Sequence, residues 1–139
     1  MIVVDANVAV KFSVRQPLSD RAIELLWTAK PIVGPDLVVA EVVNTLLGLV
    51  RTGKVDAKRA FDAVEFAPRW FEELVPARDL HRQAYRLAEE VGHSAYDCFY
   101  LALAMARECQ LVTMDEHFLR KLEKTPHSRH AVHLAHWRP

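Results

Sequence analysis

The sequence predicts an α/β domain in which a parallel sheet is covered by helices on both sides. Short apolar, β-branched runs recur along the chain, as strands buried on both faces require. Longer helical stretches separate them, the alternation that gives right-handed crossovers. Two of the runs end at an acid: Ile2-Val3-Val4 at Asp5, and Gln110-Leu-Val-Thr113 at Met114-Asp115. Ligand sites in open α/β sheets gather at such carboxyl ends.

The first strand ends at Asp5, and Asp5-Ala-Asn7 also reads as the cap of a helical segment from Val8 to Phe12. A polar loop from Ser13 to Pro17 follows. Ser19 is expected to cap a structural helix with the stripe Ala22, Ile23, Leu25, Leu26 and Ala29, ended by Pro31. Pro31 to Pro35 is a brief strand between breakers. Asp36 then caps a helix from Leu37 to about Thr52, which Gly53 closes in left-handed geometry. Glu41 is the only charge between Leu37 and Val50, set among aliphatics with Asn44 and Thr45 one turn on. A solvated face would carry several charges, so Glu41 points to function.

Asp56 caps the next helix, Ala57 to Phe66, whose Lys58, Arg59, Asp62 and Glu65 form a solvated face. Arg69 to Val75 reads as a strand bounded by prolines, with Glu72 and Glu73 at the surface or an edge. From Asp79 to Val91 an amphipathic helix turns Leu80, Ala84, Leu87, Ala88 and Val91 inward, with Gly92 as its stop. Its outward Arg78, Arg82 and Arg86 read as a solvated row. Ser94 to Ala106 is a long apolar helix with a capping box formed by Ser94 and Asp97. Tyr100 and Leu101 beside Asp97 suggest a half-buried carboxylate, which needs a partner. Asp115 caps a final short helix, and Ala131 to Ala135 is a last, edge strand.

At 139 residues the chain fits one domain, residues 1–139. The 18 basic and 18 acidic residues cancel, which gives no global argument for nucleic acid. The start lacks the pattern of a signal peptide, and no apolar run reaches the ~18 residues of a membrane span, so a cytoplasmic location is expected. Cys98 and Cys109, read as lying on one helix, stand about 16 Å apart by helical rise and cannot pair. His127, His130, His133 and His136 have neither finger spacing nor a helical ligand pair, which argues against a zinc site there.

Strand order brings Asp5 and Asp115 to one edge of the sheet and permits Asp97 and Glu41 to join them. Four converging carboxylates need a cation, because like charges raise one another's pKa. An all-oxygen donor set selects Mg²⁺ or Mn²⁺ over zinc. Such an ion acidifies water and steadies charge on a phosphoryl group, which makes phosphodiester hydrolysis the natural use.

Four motifs stand in order: strand then Asp5-x-Asn7; Pro35 then Glu41-Val-Val-Asn44-x-Leu46; Ser94-x-Tyr96-Asp97-x-x-Tyr100-Leu-Ala-Leu-Ala104; and Leu111-Val-Thr113-x-Asp115-x-x-Phe118. Together they resemble the PIN-domain ribonucleases, and within them the VapC-type toxins of toxin–antitoxin pairs. The resemblance implies a five-stranded parallel sheet in a three-layer α/β/α sandwich. It implies that Asp5, Glu41, Asp97 and Asp115 are the metal-binding, catalytic acids, supported by Asn7 and Thr113. It also implies Mg²⁺- or Mn²⁺-dependent endoribonuclease activity on RNA, homodimerisation and a small antitoxin partner. Lys11 and Arg15, on the expected loop, are candidates for RNA backbone contact.

A phospho-accepting receiver domain also gathers acids at strand ends, but it needs an acidic pair after the first strand and a lysine after a late one. Asp5-Ala6 and Thr113-Met114 supply neither. Two functions besides the toxin are compatible with the motifs: a non-catalytic PIN-like module that binds a protein partner, and a stand-alone PIN nuclease without an antitoxin.

Overall fold

The computed structural model describes residues 1–28 and 31–139. Its five strands are β1 (Ile2–Val4), β2 (Ile32–Pro35), β3 (Glu73–Val75), β4 (Leu111–Thr113) and β5 (Ala131–His133). The helices are α1 (Ala6–Ala9), α2 (Ser19–Leu26), α3 (Leu37–Arg51), α4 (Ala57–Phe66), α5 (His81–Val91), α6 (Ala95–Ala106) and α7 (Glu116–Leu122). The strands form one sheet in the order β3-β2-β1-β4-β5, and every pairing is parallel. The architecture is the predicted α/β/α sandwich.

The strand order carries the functional consequence. The chain steps outward from β1 to β2 and β3, then returns to the far side of β1 for β4 and β5. The direction reverses between β1 and β4, and a crevice opens at the carboxyl ends of strands where such a reversal occurs. The register aligns Val4 with Val112, and the Asp5 N–H donates to the Val112 carbonyl at 3.3 Å. Asp5 and Asp115 therefore flank the reversal point.

Helix α6 lies against β1, β2 and β4, with α5 packed on it. Cys98 and the whole run from Tyr100 to Ala104 are buried, so α6 is apolar nearly all round because it is covered nearly all round. Each large aliphatic side chain removed from water there contributes about 1.5–3 kcal/mol. The burial makes α6 a rigid support for the acid in its first turn.

Several boundaries differ from the sequence expectations, each for a local reason. Ser19 does not cap α2; Leu18 takes the left-handed cap position (φ 66°). The Ser19 hydroxyl accepts from the Gln16 N–H at 2.9 Å and donates to the Val14 carbonyl, tying down the preceding loop. Helix α2 ends at Leu26, and Ala29 of the expected stripe lies outside the described residues. Asp36 makes no cap bond to α3; its carboxylate accepts from the Ala77 N–H at 3.0 Å and ties β2 to the segment after β3. Gly53 closes that helix as expected (φ 70°).

The strand expected from Arg69 begins only at Glu73, because Pro68 enters a 3-10 turn from Ala67 to Trp70. A second such turn, Ala77–Asp79, moves the start of α5 to His81. Ser94 occupies the cap position of α6 but makes no side-chain cap bond, so the expected capping box is absent. Cys109 lies beyond the end of α6, and both cysteines are free thiols.

Leu101 is fully buried in the middle of α6. Leu101→Ala is expected to cost about 2–5 kcal/mol of stability. Urea unfolding should show this as a lower midpoint with an unchanged slope.

Candidate active site

Asp5 ends β1 and begins α1, and it serves both elements. Its Oδ1 accepts from the Val8 N–H at 2.9 Å as the helix cap, and the Thr113 side chain bonds the same carboxylate. The residue is 8% exposed. Burial, reinforced by the charges of Asp97 and Glu41, overcomes these hydrogen bonds and pushes its pKa up to about 6.

Glu41, in the second turn of α3, accepts a hydrogen bond from the Tyr100 hydroxyl at 2.6 Å. Burial and the Asp97 charge raise its pKa against that bond. The Tyr100 hydroxyl is pushed strongly upward by burial and by Glu41, Asp5 and Asp97, so it stays protonated and acts as a fixed donor. Asp5, Glu41 and Asp97 thus lie in one another's electrostatic reach, as a shared cation site requires.

Asp115 joins them through the other side of Asp97. Its Oδ1 accepts from the Phe118 N–H at 2.9 Å to cap α7, and its N–H donates to Thr113 Oγ1 at 3.0 Å. Its Oδ2 is left for the crevice, 3.6 Å from His93 Nε2. Capping and function are compatible in Asp5 and Asp115, because the cap bond of each engages only Oδ1.

His93 is the residue that sequence reasoning missed. Its Nε2 stands 2.6 Å from Asp97 Oδ2, so the all-oxygen neighbourhood expected for the acids is corrected to one with a nitrogen. One donor atom each from His93, Asp97 and Asp115 lies within 4.8 Å of the others. The signal was available as spacing, because His93 precedes Asp97 by four residues, just ahead of the helix that carries it. Burial and the Asp97 charge push the thiol of Cys98 up to about 11, and it is not among the grouped donor atoms.

Thr113 is buried and bridges Asp5 and Asp115, whereas Asn7 is exposed on the first turn of α1. Lys11 is not on a solvated loop: it lies in the 3-10 turn Val10–Phe12 and is 6% exposed. Burial lowers its pKa and the Asp5 charge opposes that shift only in part, so it belongs to the electrostatics of the acids. Arg15 is on the surface and pairs with Asp20 at 2.7 Å.

Without a cation, the ionised Asp5 is a cost to folding. Its folded pKa of about 6 exceeds the ordinary 3.8, so the native state holds more protons between those values and loses stability as pH rises through them, by about 3 kcal/mol. Asp5→Asn keeps a capping side chain. In chelator at pH 7.5 it is expected to unfold at higher urea than the wild type, and the gain should shrink to about a third by pH 4.5 and vanish well below pH 3.8. A gain independent of pH would contradict this origin.

Residues 2–124 match the family model of the PIN domain. Among curated proteins no sequence matches significantly. Of solved structures, PAE2754 from Pyrobaculum aerophilum is similar with a TM-score of 0.70 at 23% identity, over 96% of this chain and 83% of that one. FitAcB from Neisseria gonorrhoeae gives 0.65 at 18% identity, over 99% of this chain and all (100%) of that one. A toxin–antitoxin complex from Klebsiella pneumoniae gives 0.61 at 18% identity, over 95% and 96%. At these identities the structural likeness speaks to fold, and the family model to kinship: the chain belongs to the PIN-domain family.

Proposed function

We propose that this chain is a divalent-cation-dependent endoribonuclease, the VapC-type toxin of a toxin–antitoxin pair. The observation that carries the reading is the meeting of Asp5, Glu41 and Asp97 in one electrostatic cluster, with Asp115 beside Asp97, at the reversal point of the sheet. Membership of the PIN family and the likeness to a toxin–antitoxin complex support it. In this reading the partners are RNA, a small antitoxin and a second copy of the chain, and the setting is the cytoplasm. No described helix is long and apolar enough to cross a membrane.

The residues fit a hard cation. Burial and the neighbouring acids raise the pKa of Asp5 and Glu41, so a divalent cation would lower the cost of holding the cluster ionised. Asp5, Glu41, Asp97 and Asp115 would hold Mg²⁺ or Mn²⁺. When bound, such an ion supplies an acidified water and neutralises charge building on the phosphoryl oxygens.

The chain's own part is to fix those carboxylates. Tyr100 holds Glu41, Thr113 and the first turn of α1 hold Asp5, and the first turn of α7 holds Asp115. Each of these three acids is positioned by a donor on packed structure, so a cation meets ligands whose entropy is already spent.

Freed of any partner, the purified protein is expected to cleave single-stranded RNA with Mg²⁺ or Mn²⁺ and to stop on chelation. Asp5→Asn should lower the rate at least about a hundredfold. Cleavage that survives both treatments would contradict the mechanism, and failure of the folded protein to cut any RNA would favour a non-catalytic, protein-binding role. Tyr100→Phe removes the donor to Glu41 while keeping the ring. It should slow cleavage about tenfold with a circular dichroism spectrum unchanged from wild type.

A further inference from the structure

His93 sits on the turn between α5 and α6, after the left-handed Gly92 (φ 69°) and one residue before Ser94. Its ring stacks on Phe118, with centroids 4.5 Å apart and planes 19° from parallel. The side chain is 9% exposed, so swinging it away would strip apolar contact from Phe118. Phe118 in turn donates its N–H to Asp115, so one turn of α7 fixes both the ring and that carboxylate.

The distances suit more than a hydrogen bond to Asp97. Neighbouring ligand atoms around an ion at about 2.1 Å stand about 3 Å apart. Nε2 lies 2.6 Å from Asp97 Oδ2 and 3.6 Å from Asp115 Oδ2, values on either side of that spacing. Shifts of a few tenths of an ångström would equalise them. A residue that only oriented Asp97 would have no need to face Asp115 as well.

We propose that His93, Asp97 and Asp115 form a mixed nitrogen–oxygen cation site that takes a first-row transition ion in preference to Mg²⁺, with Mn²⁺ as the probe because it accepts carboxylates as well as nitrogen and is paramagnetic. This rests on the reading of the acids as a cation site and adds a donor to it. Imidazole binds the first-row transition ions, most strongly those from Fe²⁺ to Zn²⁺ and least strongly Mn²⁺, whereas Mg²⁺ keeps carboxylates and water. A cation would take the Nε2 lone pair of the Nδ1–H tautomer, in place of the hydrogen bond that now joins Nε2 to Asp97.

Mn²⁺ and Mg²⁺ binding to the metal-free full chain, measured by calorimetry, tests this together with pulsed EPR of the Mn²⁺-loaded protein. The wild type should bind Mn²⁺ more tightly than Mg²⁺ and show a nitrogen coupling to the ion. His93→Gln should weaken Mn²⁺ binding at least about tenfold, leave Mg²⁺ binding unchanged and abolish the coupling. The wild-type spectrum needs no variant to fold: Mn²⁺ bound without nitrogen coupling overturns the proposal. Equal weakening of both ions in His93→Gln also overturns it, leaving His93 as a positioning residue for Asp97. No binding of either ion overturns the cation site itself. Nitrogen-coupled Mn²⁺ in a protein that cuts no RNA upholds this site and overturns only the nuclease.

Discussion

Negative charge held out of water at the carboxyl ends of β1 and β4 is the constraint on which the rest of the structure depends. Asp5 is buried deeply enough that its pKa rises to about 6, although a backbone amide and Thr113 both favour its ionised form. A fold kept only for stability would place an apolar residue there. Here the charge is retained, and nearby groups are spent on holding it: the Tyr100 hydroxyl, the Thr113 side chain, and the first turns of α1 and α7.

Topology makes that concentration of charge possible. The sheet reverses direction between β1 and β4, so no crossover helix fills the space beyond their ends. Asp5 and Asp115 follow the two strands, α6 brings Asp97 on a helix locked into the core, and α3 brings Glu41 to the Tyr100 hydroxyl. Helix capping is the local device that lets the strand-end acids remain. An Asp that satisfies a free N–H of the next helix with one oxygen stabilises the fold while its second oxygen stays available.

Much of this was legible in the sequence, because apolar runs, breakers and isolated acids are local signals. The short β-branched runs became strands, Gly53 and Gly92 took left-handed geometry, and Glu41 proved to be the half-buried exception on its helix. What was not legible depended on side chains with a choice of partner. Ser19 and Asp36 turned from their expected caps to backbone groups in neighbouring loops, one of them 41 residues away. Lys11 looked like a loop cation but is folded under the site, since its four-carbon stem packs as apolar surface once the chain turns at Val10. His93 was hidden differently: its spacing to Asp97 is local, but its approach to Asp115 exists only once β4 is placed beside β1.

The central claim is that these carboxylates form a cation site. A crystal of the full chain soaked in Mn²⁺, with data collected at the manganese absorption edge, would test it most directly. The expected result is an anomalous peak within ligand distance of the carboxylates of Asp5 and Asp97. A well-ordered crevice without a peak, with manganese only at surface acids such as Glu72 or Glu89, would contradict it.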